Sequence, residues 1–454
     1  MAWPGATSAC GAGKARTRYD RPRDIRPVNG VRAERSWFGQ PPGLTILFLT
    51  NMWEQFSYFG MRALLVYYMT RQLMLGQGQA SFVYGAYTAC AYFTPIVGGV
   101  VADRWLGKRR AVTIGASIMA AGHFMMAFEP LFYVALATIA LGNGLFLPSL
   151  PSQINDLYAP GDPRRGWAYN VYYVGINIGG FLAPLICGTL GEVYGWHYGF
   201  GAAGIGMFAG LTIYLLGHRH LPVEHTASAI VDDGRASPPA NNRQLWLVLA
   251  AVGLCVTIFR GAYEQVGNTV ALWAGSGVDR GLGSVTIPMT WFQSLNPLLV
   301  MLLTPPLLAL WQRRANAGRD TAPARRMAQG ALLVGLAYVL LALVAWQAGE
   351  GQAGWLWLAL FFLIFTIGEL FILPSGLGLF ARLAPPRLGA TTVAAWYLTI
   401  FAGSLSAGLV GTLWSHMTHG SYFALLAMLA ALAAVLLRLL DPAIRRIDRN
   451  NNDK

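Results

Sequence analysis

Five charged side chains stand inside stretches that are otherwise apolar enough to cross a lipid bilayer: Glu54 and Arg62, Arg260 and Glu264, and Glu369. A charge at mid-bilayer costs about 2.5–3.5 kcal/mol on insertion scales, so a chain that keeps one there has a use for it. Three acids and two bases, drawn from both halves of the chain, suggest a shared polar cavity in which charges pair and a solute is held. Arg supplies a planar fork of donors suited to a carboxylate. Glu supplies a counter-charge for an ammonium and a group that a proton can neutralise. Arg260 lies four residues before Glu264, so both project from one helix face. A sixth charge, Asp103, falls at a helix end and belongs to a loop motif.

The elements that must position these groups are long apolar helices. The chain of 454 residues is 55% hydrophobic and only 12% charged, against about 25% charged in soluble domains; its mean hydropathy is +0.45. Runs of about 20 apolar residues span a bilayer. Twelve are readable: 44–70, 79–102, 111–128, 131–156, 167–190, 198–217, 244–273, 287–311, 327–347, 354–382, 389–414 and 421–440. Gly and Pro within them are tolerated where neighbouring helices satisfy the freed backbone. The expectation is an all-α membrane protein with 12 transmembrane helices.

The formal net charge of +13 does not imply nucleic acid, because its distribution follows the membrane. With both termini in the cytoplasm, only Arg71 and Arg280 fall outside, and Arg62 and Arg260 fall within spans. The remaining Lys and Arg are cytoplasmic, which is the positive-inside bias of a multi-pass cell-membrane protein. The cysteines Cys10, Cys90, Cys187 and Cys255 avoid external loops, so no disulfide framework is expected. No zinc-ligand spacing and no nucleophile–base constellation appears, so neither metal, cofactor nor enzymatic activity is expected. His123 lies well inside a span, as a packing residue or a proton relay.

Along the chain, residues 1–36 are rich in Arg, Pro and Gly without apolar periodicity and read as a disordered cytoplasmic tail. Residues 37–217 form a first six-helix bundle and 244–440 a second. A polar cytoplasmic linker, 218–243, joins them, and 441–454 is a cytoplasmic tail. Two such bundles with a site between them at mid-membrane is the major facilitator plan. The loop GGVVADRWLGKRR resembles the signature of that fold through Gly99, Asp103, Arg104, Gly107, Lys108 and Arg109. Its glycines permit close helix approach and a tight turn. Asp103 is expected to accept a charge-assisted hydrogen bond from Arg104 or a neighbouring helix end, as a lock on the outward-facing state. The alternative is a plain basic loop.

The first span reads FGQPPGLTILFLTNMWEQFSYFGMRALLVYYM. It resembles the proton-dependent oligopeptide transporter family, whose first helix carries ExxERFxYYGMRA; Glu54, Phe56, Tyr58, Gly60, Met61, Arg62 and Ala63 match. GNGLFLPSLPSQINDLY, NVYYVGINIGGFLAPLICGTLGEVYGWHYGF, YEQVGNTVALWA with IPMTWFQSLNPLL, and TIGELFILPSGL resemble further family segments, and the likeness runs from residue 37 to about 440. It implies that Arg62 meets a peptide carboxylate and that Glu369, helped by Asn177 and Asn296, meets the ammonium. It also implies hydroxyl contacts from Tyr58 and Tyr92 and an aromatic wall from Trp396. Each has a plainer reading: an ion pair between Arg62 and Glu264, a satisfied buried acid at Glu369, helix–helix hydrogen bonds at the Asn residues, and packing for the aromatics.

The departures bear on proton coupling. Asn51 and Gln55 replace the family's first Glu and its Arg, and Leu147 stands where a Lys is usual. Arg260 stands where the family generally has Trp; it is expected to partner Glu264 or Glu54 in place of the missing Lys, or to pair locally without a role in coupling. The implied function is proton-coupled uptake of di- and tripeptides by alternating access, with small peptides, protons and the lipid bilayer as partners and a functional monomer. The rival expectations are a same-fold carrier of amino-acid-like or anionic solutes such as nitrate, a facilitator, and a peptide sensor.

Overall fold

The structure is a computed structural model that describes residues 39–159, 162, 164–222, 243–319, 321–383 and 389–452. The tail expected over 1–36 and the linker segment 223–242 lie outside the described residues. The chain is almost entirely helical, with α1 (Pro42–Arg71), α2 (Gln77–Val101), α3 (Lys108–Met125), α4 (Phe132–Asp156), α5 (Arg164–Ala183) and α6 (Trp196–Gly217) in the first half. The second half contains α7 (Arg243–Tyr263), α8 (Thr269–Ser276), α9 (Trp291–Asn316), α10 (Pro323–Ala348), α11 (Trp355–Leu383), α12 (Gly389–Gly411) and α13 (His419–Asn452). Among the described residues, ten helical stretches are long and apolar enough to cross a membrane. Two further helices carry more charge: α1 contains Glu54, Arg62 and Arg71, and α3 opens on Lys108, Arg109 and Arg110. The helix expected to end at 440 instead continues through the segment expected as a tail.

Two helices are broken within a span. The π-helical turns Pro184–Gly188 and Leu190–Tyr194 extend α5, and a 3-10 turn, Glu264–Gly267, separates α7 from α8. In the first half α1 packs on α5 and α6, and α4 on α2 and α3; in the second, α10 packs on α11 and α13, and α7 on α12 and α13. The halves meet where α2 packs on α12 and α5 on α9. Small residues permit the first contact: a Cβ at Gly85 would fall 2.3 Å from the Gly408 Cα, and such sites let helix backbones approach closely in membranes. The outer faces carry exposed Leu141, Phe208, Leu254, Leu343 and Leu439, a surface suited to lipid.

Hydrogen bonds between the halves, among the described residues, lie at the site and toward one end of the bundle. The Tyr67 hydroxyl donates to the Ala271 carbonyl at 2.6 Å, and Ser81 donates to Asn268 Oδ1 at 2.9 Å. Gln77 donates to the Gly411 carbonyl at 2.9 Å. Glu192 accepts from the backbone N–H groups of Met289 at 2.9 Å and Thr290 at 2.8 Å, and from the Thr290 hydroxyl at 2.5 Å. It therefore satisfies donors at the start of α9, which a helix N-terminus leaves without partners. The opposite end, which carries Lys108, Arg313 and Arg325, shows no such bridge among the described residues.

The loop between α2 and α3 lies at that opposite end. The π-turn Ala102–Leu106 stops at Gly107, whose φ of 76° suits glycine. Lys108 pairs with Asp156 of α4 at 2.7 Å, and Arg109 donates to the carbonyls of Leu221 and Pro222. Asp103 and Arg104 are exposed, and Asp103 makes no ion pair or hydrogen bond among the described residues. The bond expected at Asp103 for the outward-facing state is absent among the described residues of this structure; Lys108 and Arg109 tie the loop to α4 and to the segment after α6. The close helix approach falls on Gly98, against the Gly144 carbonyl, while Gly99 has room for a Cβ beside Pro148.

Candidate functional site

A cavity of about 400 Å³ lies between the halves, within the range of small-molecule sites. Helix α1 lines it with Glu54, Tyr58 and Arg62, spaced one turn apart on a single face. Asn177 comes from α5, Arg260 and Tyr263 from α7, Asn296 from α9, Glu369 from α11 and Tyr397 from α12. The break after α7 brings Glu264 into the same cavity.

One wall is cationic. Arg62 Nη2 forms an ion pair with Glu264 Oε2, and Arg62 Nε donates to the Tyr84 hydroxyl at 2.7 Å. Gly267 makes room for this hydroxyl, since a Cβ there would collide with it. The other carboxylate oxygen of Glu264 takes Arg260 Nη2. The Arg260 guanidinium is held 5.1 Å from the Tyr92 ring centre and 5.4 Å from that of Tyr263, within cation–π range. Glu264 and Arg260 are buried, at 2% and 3% exposure, so each depends on its partner; removing one member of such a pair leaves an uncompensated charge.

Another part of the lining is acidic. Glu369 accepts from the Tyr263 hydroxyl at 2.7 Å and from Asn296 Nδ2 at 2.5 Å; Asn296 also donates to Thr366 at 3.1 Å. Both donors are neutral, and Glu369 has no ion-pair partner among the described residues. Glu54 accepts from Gln55 Nε2 at 2.6 Å, again without a cation.

The remaining expected residues fall as follows. Tyr58 and Tyr92 line the cavity, and so does Asn177, whose Nδ2 donates to the Tyr173 carbonyl one turn back at 2.9 Å. Trp396 is a correction: it is no wall of the cavity but is buried against Phe380, ring centres 5.2 Å apart, and against Gly376. The next residue, Tyr397, lines the cavity instead, because one step along a helix turns a side chain by about 100°. Leu147 lines the cavity where a Lys was looked for. Asn51 is buried and donates to the Tyr172 carbonyl at 3.2 Å, tying α1 to α5. His123 is buried with both ring nitrogens unpartnered among the described residues.

Sequence reasoning passed over Tyr84, Tyr263 and Glu192. For Tyr84 a signal existed: it lies eight residues before Tyr92, two helical turns, on one face. Tyr263 directly precedes Glu264. Glu192 stands at a span end, where an acid ordinarily faces water.

Known proteins share this architecture. The family model described as "POT family" matches residues 109–233 and 236–427. A di-/tripeptide transporter of Lactococcus lactis subsp. lactis is 30% identical over 92% of this chain and 98% of its own. A peptide transporter of Yersinia enterocolitica, YePEPT, is 30% identical over 83% of this chain and 88% of its own. A crystal structure of a peptide transporter POT in complex with sulfate superposes with a TM-score of 0.83 at 29% identity, covering 91% of this chain and 97% of that one. With a family match over most of its length, an integral membrane fold and a charged cavity between two helical halves, the chain belongs to the POT family.

Proposed function

We propose that this protein is a cell-membrane transporter that takes up di- and tripeptides with protons by alternating access. The observation that carries this reading is that Arg62 of the first half and Glu369 of the second line one cavity between the halves, with Glu369 held by neutral donors. A short peptide is a zwitterion, and its two termini require that pair of poles. Asn177 and Asn296 supply groups that both donate and accept for the intervening amide. The named relatives are peptide transporters, and the bipolar cavity is consistent with the same class of solute.

The reading takes the molecule as twelve spans in two bundles of six, with α7 and α8 as one broken span, both termini cytoplasmic, acting as a monomer. The basic end is then cytoplasmic, and the end closed by Glu192, Tyr67 and Gln77 is external. The cavity faces inward. Rocking the halves requires breaking these external hydrogen bonds and the Arg62–Glu264 pair. A proton on Glu264 removes its charge and frees Arg62 for the peptide carboxylate, and Glu54 is the second acid of the relay. One proton moving inward down 100 mV releases about 2.3 kcal/mol, enough for roughly fiftyfold accumulation.

Uptake by proteoliposomes of a labelled dipeptide, with and without an imposed inward proton gradient, tests this. Gradient-driven accumulation competed by other dipeptides is expected. Exchange without accumulation would make the protein a facilitator, and competition by nitrate or single amino acids but not by dipeptides would overturn the peptide assignment.

A further inference from the structure

The cavity is lined by two guanidinia, Arg62 and Arg260, one positive charge more than a peptide's terminal carboxylate balances. Arg62 and Arg260 grip the two oxygens of one carboxylate, that of Glu264. Arg260 is not a stray cation that has folded back to the nearest acid. Its stem lies against Gly403 of α12, where a Cβ would sit 2.6 Å from that of Arg260. Its guanidinium lies near Tyr92 of one half and Tyr263 of the other. Its Nε is buried and has no hydrogen-bond partner among the described residues, a cost of about 1–3 kcal/mol for a buried donor. Arg260 is thus a built position on the lining of the cavity, held from α2 and α12 as well as by its own helix, and its charge is in place for a ligand group.

We infer that Arg260 is a specificity determinant: paired with Arg62 it forms a double anion subsite for peptides whose carboxy-terminal residue is itself acidic. A carboxy-terminal Asp or Glu presents two carboxylates a few bonds apart, one for each guanidinium. Around Glu264 are Arg62 and Tyr58 of α1, Tyr84 of α2, Arg260 and Tyr263 of α7, Tyr338 of α10 and Glu369 of α11. When Glu264 carries the transported proton, both guanidinia lose their internal partner together. A diacid end then restores two carboxylates to two cations, whereas a neutral end restores one. At the opposite end, an acidic amino-terminal residue places its carboxylate beside Glu369 and is disfavoured. The inference rests on the peptide-uptake reading above.

The test is competition of labelled Ala-Ala uptake by Ala-Glu, Ala-Gln and Glu-Ala in proteoliposomes. Ala-Gln has the shape of Ala-Glu without the charge, and Glu-Ala has the charge at the wrong end. In the wild type, Ala-Glu is expected to compete about tenfold better than either, the effect of one charge-assisted hydrogen bond. In Arg260→Gln the ratio of Ala-Glu to Ala-Gln is expected to fall to about one, read within the variant so that a general loss of uptake does not matter. In Arg260→Lys the ratio is expected to persist in part. A wild-type preference for Ala-Gln or no preference at all overturns the inference even if the variants do not fold, and so does an unchanged ratio in Arg260→Gln. Failure of every dipeptide, Ala-Ala included, overturns the peptide reading itself.

Discussion

Arg62 of α1 and Glu264, 202 residues apart in the chain, form an ion pair that joins the two halves across the cavity. Its geometry depends on the side-chain fork: Nη2 reaches Glu264 while Nε donates to Tyr84 at 2.7 Å. Lysine offers a single ammonium on a flexible stem and cannot make both contacts in one plane. Arg62→Lys is therefore expected to fold and to bind peptide about ten- to hundredfold more weakly, since hydrogen bonds to a charged group contribute about 1.5–3 kcal/mol. Tyr84→Phe removes only the Nε partner and is expected to have a smaller effect in the same direction. Concentration dependence of uptake measures both, and a wild-type profile in Arg62→Lys would remove the carboxylate role.

Elsewhere on the cavity lining, Glu369 is held by Tyr263 and Asn296, both neutral donors. Glu369→Gln retains the size and an acceptor but loses the charge. Peptides with a free amino terminus are expected to lose about tenfold or more in affinity, while their N-acetylated analogues, which bring no ammonium, lose little. Competition by matched free and acetylated dipeptides reads this difference. Equal losses for the two would assign Glu369 to holding α7, α9 and α11 together and not to the ligand.

The spans were readable because a bilayer demands about 20 apolar residues for each crossing. The first-span charges stood out because each is costly there. Three features were not readable, for different physical reasons. The break at Glu264–Gly267 leaves no trace in hydropathy, because apolar residues continue on both sides of it. Trp396 and Tyr397 are adjacent aromatics, and their helix rotation about α12 decides which one faces ligand; composition carries no such phase. Glu192 binds donors 97 and 98 residues away in the other half, so its role exists only once the halves have docked. Arg260 shows the reverse: its spacing to Glu264 was visible, but its second neighbours, Tyr92 and Gly403, came from helices that sequence proximity does not connect.

Glu192 predicts how the hydrogen-bonded end of the bundle opens. Its carboxylate holds two backbone N–H groups and the Thr290 hydroxyl at the start of α9. Glu192→Ala leaves these donors to water and removes about 1.5–3 kcal/mol from the closed end. The population in which that end is open is expected to rise about ten- to hundredfold, with Glu192→Gln intermediate because it keeps an acceptor. Spin labels at exposed Val193 and Leu282, on opposite halves of this end, report the change as a longer distance component. An unchanged distance distribution in Glu192→Ala would mean that Tyr67, Gln77 and Ser81 close the end without it.

Proton coupling is tested most directly at Glu264, because one carboxylate there opposes two guanidinia. It occupies Arg62 and Arg260 in this structure; on the proposed coupling, protonation releases both and Arg62 turns to the peptide. Gln imitates the protonated acid in size and neutrality but cannot lose the proton on the cytoplasmic side. Without that loss the Arg62–Glu264 pair cannot re-form, so the empty carrier no longer returns with its charge balance restored. Glu264→Gln is accordingly expected to exchange peptide for peptide across the membrane, yet to fail to accumulate it when a proton gradient is imposed. Glu54→Gln, which alters an acid with no cation beside it, is expected to weaken accumulation less steeply while leaving the Arg62–Glu264 pair in place. Proteoliposomes run in parallel for counterflow and for gradient-driven uptake separate the two behaviours. Accumulation by Glu264→Gln under a proton gradient alone would move the coupling proton to another acid, and loss of counterflow together with accumulation would show that Glu264 is needed to hold the halves together.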